Sequence, residues 1–317
     1  MSADPALEPT PLVVVGDYAW DVLIRTQAQL LQGGDLFGDV LLAPGGSAAN
    51  VAVWARRCGL PTTFVGKIGR DRFGDLAQEE LRAEGVRARW AFTDEHLTGA
   101  VAVWIDHSGE RSMVSGKGAD HYLLPEELPR DVLGAARHLH LSAWSFFDDP
   151  PRQASREAAR LVRAAGGTVS LDPGSFQMID AMGVERFLEL TTDLGVSVLF
   201  PNLEEGEILS GQADPHHIAA RLAELYPGAL VMLKLDDEGA YLYADGEGTH
   251  FPTSARTVVD ATGAGDAYAG AFLAAWLRGA PPAEAARGAN RLAGWVVERF
   301  GARPEADAEL EGLLAGL

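Results

Sequence analysis

The distribution of apolar residues along the chain predicts a sheet of mostly parallel strands. Short runs rich in valine, leucine and isoleucine recur at residues 12–16, 62–68, 137–142, 168–172, 196–200 and 229–235. Continuous apolar runs of this kind are typical of strands that are buried on both faces. Residues 240–244 follow the last run across a short polar turn, which favours an antiparallel partner at one side of the sheet.

Helical segments separate these runs. Amphipathic or small-residue stretches predict helices at residues 48–57, 75–84, 151–165, 184–191, 203–210, 216–226, 267–277 and 283–298. Strands that alternate with helices indicate an α/β fold of three layers, in which a mostly parallel central sheet carries helices on both faces.

Two parts of the chain do not follow this alternation. Residues 22–25, 40–43, 100–105 and 112–115 have the pattern of short strands, and His107 to Glu110 has the composition of a hairpin turn. We expect these strands to form a small separate β-sheet, a lid built from about residues 17–44 and 97–118. The main domain is then residues 12–305, with terminal segments at 1–11 and 306–317.

Composition narrows the possible functions. The 317 residues carry a formal net charge of −19, which disfavours binding to nucleic acid or to an anionic membrane surface. Cys58 is the single cysteine, so no intrachain disulfide and no cysteine-based metal site is expected. Residues 1–11 do not resemble a signal peptide, and no apolar run approaches the ~20 residues that span a bilayer. We expect a cytoplasmic protein.

A glycine-rich turn late in the chain suggests phosphate chemistry. Residues 259–266 read Val-Asp-Ala-Thr-Gly-Ala-Gly-Asp, between a strand end and a helix of small residues. Such a turn presents backbone N–H groups to an anion. Asp266 would repel a phosphate, but it suits a base that faces a hydroxyl whose proton must leave. The alternative is an ordinary helix start, where Thr262 and Asp266 are favoured residues.

Polar residues follow other predicted strands as well. Asp17 and Asp21 follow the first strand, residues 44–50 form a second glycine-rich turn that opens a helix, and Asn202 and Glu205 follow a later strand. In a doubly wound sheet these groups can meet in one crevice. The alternatives are local: Asp17 as a turn former, Ser47 as a helix cap, and Asn202 with Glu205 as a capping box.

Taken together, these motifs resemble the ribokinase family, the PfkB carbohydrate kinases, over nearly the whole chain from about Val13 to about Ala302. The early signature of two glycines and an asparagine is matched by Gly45-Gly46-Ser47-Ala48-Ala49-Asn50, and the late one by residues 260–266. Residues 69–74, 109–111 and 202–205 match further motifs in the same order. The fold that the resemblance implies is the three-layer ribokinase-like fold with a small β-sheet lid.

The resemblance implies ATP-dependent phosphorylation of a hydroxymethyl group on a sugar or related molecule. Asp266 would be the general base, and the N–H groups of Gly263, Ala264 and Gly265 would form the anion hole. The substrate hydroxyls would be bound by Asp17, Asp21, Gly45, Gly46 and Asn50. The expected partner is therefore a small sugar or nucleoside, and the lid would both close over it and form a homodimer interface.

The resemblance also implies positions for cofactors. ATP would be bound by Asn202, Lys234, Thr262, Gly265 and Asn290. Glu205 would serve Mg²⁺ through water, because the triphosphate carries more charge than one cluster of N–H groups can hold. Asp260 and Thr262 would lie at a site for a monovalent cation such as K⁺, with turn capping by Asp260 as the alternative.

Some residues depart from the family pattern or leave the substrate open. Asp236 occupies a usual glycine position, and Lys117 stands where relatives often carry arginine, with a surface lysine as the alternative. Trp20, Trp104 and Trp144 suit either core packing or stacking on a substrate ring. The absence of an arginine cluster favours a neutral sugar or nucleoside. A nucleoside kinase and a catalytically silent sugar-binding protein remain the alternatives to a sugar kinase.

Overall fold

In a computed structural model, which describes residues 11–26, 28–105 and 111–316, the chain is organised around one large sheet and one small sheet. The strands are β1 Leu12–Val15, β2 Ala19–Thr26, β3 Gly38–Gly45, β4 Thr62–Gly69, β5 Arg87–Thr93, β6 Gly99–Ile105, β7 Arg111–Ser115, β8 His138–Ser142, β9 Thr168–Asp172, β10 Val196–Leu199, β11 Leu230–Lys234, β12 Ala240–Ala244 and β13 Glu247–Phe251.

The large sheet confirms the predicted mostly parallel centre. Its nine strands lie in the order β13-β12-β11-β10-β9-β8-β1-β4-β5. Neighbours from β11 to β5 are parallel, whereas β12 and β13 run antiparallel at one side. The carboxyl ends of the parallel strands therefore meet at one edge, where open α/β sheets bind their ligands.

The small sheet is separate, as predicted. It contains four strands in the order β3-β2-β6-β7, with β2 and β6 parallel and the other pairs antiparallel. The turn predicted at 107–110 lies outside the described residues. The role of this sheet as a lid and the domain limits at 12–305, 17–44 and 97–118 stay predictions.

Helices cover both faces of the large sheet. They are α1 Ser47–Arg57, α2 Arg72–Ala83, α3 Arg130–Gly134, α4 Pro151–Ala164, α5 Phe176–Met182, α6 Val184–Thr191, α7 Leu203–Ser210, α8 Pro215–Leu225, α9 Ala264–Leu277, α10 Pro282–Val297 and α11 Ala308–Ala315. Leu12 and Val14 face a core with α1, α2, α9, α10 and α11, while Val13 and Val15 face a core with α3 to α8. The alternation of β1 side chains between two cores is the reason that the strand is apolar at every position.

Close packing of α1 against α9 aligns the two glycine-rich turns. A Cβ on Gly270 would lie only 2.8 Å from Cβ of Trp54 and from the carbonyl oxygen of Val51. Only glycine permits this approach of the two backbones. The amino-terminal ends of α1 and α9 are therefore neighbours, although they lie more than 200 residues apart in the chain.

Two strands were not predicted, and both lie at the edges of the large sheet. β5 alternates polar and apolar residues, and β13 is exposed along most of its length. Edge strands carry a weaker apolar signal because only part of each strand is covered. Within the described residues, no helix combines the length and the apolar character that crossing a bilayer requires.

Candidate active site

The turn that opens α9 has the geometry of an anion site. Gly263 adopts a φ of 73°, in the left-handed region that favours glycine, and a Cβ there would lie 2.5 Å from Cβ of Ala302. A side chain is therefore excluded by both conformation and space. Ala264 donates to the carbonyl oxygen of Ala261 over 3.3 Å, and the N–H groups of the first helical turn point outward from the helix end.

Asp266 lies in the first turn of α9 and is partly buried beside this site. Its Oδ2 accepts a hydrogen bond of 2.7 Å from Nδ2 of Asn50. Burial raises the pKa of Asp266 to about 7, against the lowering effect of the Asn50 hydrogen bond. A carboxylate with a pKa near neutrality is suited to accept a proton from a hydroxyl.

Asn50 is itself held by a residue that the sequence motifs did not indicate. Nε of Arg303 donates to Oδ1 of Asn50 over 2.7 Å, and the Arg303 side chain is only 1% exposed. Nη1 of Arg303 contacts both carboxylate oxygens of Glu80 at 2.7 and 2.8 Å, and Nη2 donates to the carbonyl oxygen of Gly45. These partners lie on α1, on α2 and at the end of β3, so no local sequence pattern could have indicated the cluster.

Asp17 and Asp21 differ in their surroundings. The two Asp17 oxygens accept hydrogen bonds from the backbone N–H groups of Ser47 and Ala48, at 2.8 and 3.2 Å, so this carboxylate caps α1. Burial raises the pKa of Asp17 even though these bonds oppose the change. Asp21 lies on β2 with its carboxylate against Gly45, where a Cβ would be 2.5 Å from Oδ2. Burial raises the pKa of Asp21 to about 6, and the charge of Arg303 opposes this shift.

On the other side of the α9 turn, Lys234 ends β11 close to the anion site. Its Nζ lies 3.1 Å from the position that a Cβ on Gly265 would occupy, and it donates to Oδ2 of Asp172 over 2.7 Å. Burial disfavours the charged amine, but Asp172 and Glu205 outweigh this effect and raise the pKa of Lys234. Asp172, at the end of β9, was also missed by the sequence analysis.

Asn202 and Glu205 form the capping box of α7. The Asn202 side chain accepts from the Glu205 N–H over 2.8 Å, and the Glu205 carboxylate accepts from the Asn202 N–H over 2.9 Å. Burial and the charge of Asp172 raise the pKa of Glu205. A second carboxylate beside Glu205 gives oxygen donors of the kind that Mg²⁺ prefers, so the residues fit a hydrated Mg²⁺. Among the described residues, no three or more His, Cys, Asp or Glu side chains come together as metal ligands, so a Mg²⁺ held here would keep most of its waters.

Asp260 stabilises the α9 turn from within. Its Oδ1 accepts from both N–H and Oγ1 of Thr262, at 2.9 and 2.7 Å, and its Oδ2 accepts from the Gly301 N–H over 3.0 Å. These contacts favour the turn-capping role that was the alternative to a cation site.

A cavity of about 730 Å³ opens beside Lys234 and Gly265. Asn290 lines it, is 8% exposed, and donates to the Pro252 carbonyl oxygen over 2.7 Å. Asp236 also lines it, with a φ of 49° that accounts for the usual glycine at this position. Lys234 pairs with Asp172 and not with Asp236. Asp17, Asp21 and Asn50 do not line this cavity but lie on the Asp266 side of the turn.

Most of the remaining sequence candidates contact other parts of the protein. Trp20 is 6% exposed, donates to the Phe73 carbonyl oxygen and packs edge-on against Tyr18, so it belongs to the core. Trp144 packs edge-on against Phe147, and Trp104 is a partly buried residue of β6. Lys117 is an exposed lysine that pairs with Asp148, which agrees with the alternative interpretation of this residue as a surface lysine.

Comparisons with known proteins agree with this geometry. The model of the family described as "pfkB family carbohydrate kinase" matches residues 10–309. The fructokinase of Escherichia coli is 32% identical over 269 residues, 82% of each chain. The structure of adenosine kinase from Sinorhizobium meliloti superposes with a TM-score of 0.86 at 26% identity, over 97% of this chain and 99% of that one. Arabidopsis thaliana ribokinase in complex with ribose and ATP gives a TM-score of 0.79 at 26% identity, over 96% and 98%.

Proposed function

Since the chain belongs to the pfkB family of carbohydrate kinases, we propose that this sugar kinase transfers the γ-phosphoryl group of ATP to a hydroxymethyl group, with Asp266 as general base. One observation carries the proposal: a partly buried carboxylate, with a pKa of about 7, lies in the first turn of the helix whose backbone forms the anion site. A protein that only binds sugar has no use for a base at this point, so the silent alternative is disfavoured.

The roles of the residues follow from the reaction. As the substrate oxygen bonds to the γ-phosphorus and the bond to the β-phosphate oxygen breaks, Asp266 accepts the hydroxyl proton. The N–H groups of Gly263, Ala264 and Gly265 stabilise the charge on the transferring group, and the Lys234 ammonium adds a positive charge close to Gly265.

ATP binds in the cavity beside Gly265. Asn202, Lys234 and Asn290 line this cavity, with Thr262 in the adjoining turn. Glu205, with Asp172 beside it, would hold Mg²⁺ through water, and the ion would neutralise part of the triphosphate charge. The K⁺ site at Asp260 and Thr262 stays a prediction. The two Asp260 oxygens accept hydrogen bonds from Thr262 and Gly301, and these bonds favour the alternative, in which Asp260 caps the turn.

The substrate binds on the Asp266 side of the turn, near Asp21, Gly45, Gly46 and Asn50. Its carboxylate-rich surroundings suit a neutral polyol whose hydroxyls donate hydrogen bonds. A sugar is favoured by the similarity to a fructokinase, and a nucleoside is the second candidate because of the similarity to an adenosine kinase. Asp17 contributes indirectly, since its oxygens cap α1.

The small sheet is proposed to close over the substrate and to form a homodimer. Val40, Leu41, Leu42, Met113 and Val114 are exposed apolar residues on its outer strands, between 45% and 73% exposed. A partner that covers them would remove an unfavourable apolar surface from water. The cytoplasmic location stays a prediction.

An ADP-release screen tests the proposed function. The purified protein is incubated with ATP and Mg²⁺ and with fructose, ribose, adenosine or a sugar acid, in K⁺ and in Na⁺ buffers. We expect release with at least one neutral sugar or nucleoside and none in Asp266→Asn. Wild-type rates in Asp266→Asn would refute Asp266 as the base.

A further inference from the structure

Arg303 is a buried cation at the substrate side of the site, and no motif accounts for it. Its guanidinium makes one hydrogen bond to Asn50, two to Glu80 and one to Gly45. It also lies 5.7 Å from the centre of the Tyr18 ring. Residue 303 is thereby fixed by three separate elements, and its Nε reaches Asn50, the side chain that donates a hydrogen bond to Asp266.

The orientation of the Asn50 carboxamide decides what Asp266 encounters. A carboxamide can present either its NH₂ group or its oxygen to a neighbour, since a half-turn exchanges the two. An arginine can only donate hydrogen bonds, and an ionised carboxylate can only accept them. With Arg303 on one side and Asp266 on the other, only one orientation satisfies both partners.

We propose that Arg303 is a positioning residue for phosphoryl transfer, which acts through Asn50: its Nε holds the carboxamide so that Nδ2 donates to the base Asp266. The inference rests on the proposed function, in which Asp266 accepts the hydroxyl proton. Without Arg303, the Asn50 oxygen can turn toward Asp266, where it would repel the carboxylate and favour its protonated form.

Other groups around Asp266 do not replace this contact. Asp172 at the end of β9 and Asp17 at the end of β1 raise the pKa of Asp266, and Lys234 at the end of β11 lowers it. Lys234 donates its hydrogen bond to Asp172, so Asn50 supplies the direct side-chain bond that favours the charged form of Asp266. Loss of this bond therefore moves the protonation of Asp266 to higher pH.

The test compares two neutral variants of similar length, Arg303→Met and Arg303→Gln. Both remove the guanidinium and its pairing with Glu80, but glutamine can place an N–H donor close to the original Nε, and methionine cannot. In Arg303→Met the acidic limb of kcat/KM is expected to move up by about 1 pH unit, so that activity falls about tenfold at pH 6 and recovers above pH 9. In Arg303→Gln the limb is expected to stay within about 0.3 unit of wild type.

Arg57→Met is the matched structural control. Arg57 at the end of α1 pairs with Glu84, the residue that caps the carboxyl end of α2, at 2.6 and 2.9 Å, and donates to the Pro304 carbonyl oxygen over 2.8 Å. It thus joins α1, α2 and the same carboxyl-terminal segment without contacting Asn50. We expect this variant to melt at a lower temperature with an unchanged acidic limb. Equal limb shifts in Arg303→Met and Arg303→Gln, or no shift in either, would overturn the inference.

A second variant keeps the test decisive if Arg303→Met does not fold. Asn50→Leu removes the donor to Asp266 while Arg303 is retained, so its acidic limb is expected to shift in the same direction. An unmoved limb would contradict the proposed contact. Wild-type activity in Asp266→Asn would instead refute the proposed function, so the two failures can be told apart.

Discussion

The two glycine-rich turns of this protein have similar backbone conformations, but the N–H groups of the helices that they open have different partners. Gly46 opens α1 with a φ of 87°, and Gly263 opens α9 with a φ of 73°. At α1 the N–H groups of Ser47 and Ala48 already hold the carboxylate of Asp17. At α9, within the described residues, no protein carboxylate accepts from the first helical N–H groups.

This difference indicates which helix end is available to bind a ligand. A helix amino-terminus attracts an anion whether the anion belongs to the protein or to a ligand. The N–H groups of the α1 turn are occupied by Asp17, which would make this turn a fixed part of the proposed sugar site, whereas the α9 turn is the one left for a phosphoryl group in the proposed reaction. A glycine-rich turn in the sequence therefore does not by itself identify a phosphate site.

The α9 turn is held from outside by residues 301–303. The Gly301 N–H donates to Asp260, Ala302 packs on Gly263, and Arg303 reaches Asn50. Because no protein carboxylate accepts from the first helical N–H groups of α9 among the described residues, contacts with this distant segment help to hold the turn.

The largest expected effect comes from Asp266, the proposed base beside the α9 turn. Asp266→Asn should lower phosphoryl transfer by about a thousandfold, because general base catalysis contributes on that scale. The anion site and the cavity remain, so ATP should bind with a dissociation constant near that of wild type. ADP release measures the first result, and isothermal titration calorimetry measures the second.

The next prediction distinguishes the proposed sugar side of Asp266 from the cavity side, where ATP is proposed to bind. Asp21→Ala should raise the KM for the sugar at least about tenfold, since it removes a charged acceptor of hydroxyl hydrogen bonds. The KM for ATP should hardly change. Asn290→Ala is the matched variant on the cavity side and should show the opposite pattern, and an unchanged sugar KM in Asp21→Ala would exclude Asp21 from the sugar site.

A third prediction concerns the α1 turn, where the Asp17 carboxylate accepts hydrogen bonds from the first N–H groups of the helix. Asp17→Ala leaves the first N–H groups of α1 without their carboxylate, and should destabilise the fold by about 2 kcal/mol. For a chain of this size the melting temperature should fall by about 3 °C. Added formate should raise the melting temperature of the variant more than that of wild type, because the small anion can bind the vacated N–H groups.

Sodium chloride at equal ionic strength is the control for that rescue. An equal response of variant and wild type to formate would mean that Asp17 does not fill the turn as an anion. A large loss of sugar affinity without loss of stability would instead assign Asp17 a direct role in substrate binding.

Local patterns in the sequence predicted much of this structure. The apolar runs of the central strands and both glycine-rich turns lie within short segments. Their structure depends mainly on residues that are close in the sequence, so a local pattern is enough to predict them. The edge strands β5 and β13 were missed because their exposed residues weaken the apolar signal. Asp172 and Arg303 were missed for another reason: their partners lie 62 and 253 residues away, so only the fold brings them together.

The smallest expected effect concerns the pH dependence of the free energy of unfolding, to which Asp266 contributes. Because the folded pKa of Asp266 is about 7 and the reference value is 3.8, the folded state disfavours its charged form. The contribution of this group to stability is therefore present below pH 3.8 and is lost as the pH rises through 7. Asp266→Asn, which cannot ionise, should be more stable than wild type at pH 8 by about 1 kcal/mol, with allowance for the partial exposure of the side chain. At pH 4 the two proteins should melt at similar temperatures, as differential scanning calorimetry can measure. A variant that is less stable at pH 8 would show that the Asn50 bond to the carboxylate outweighs the cost of burying the base.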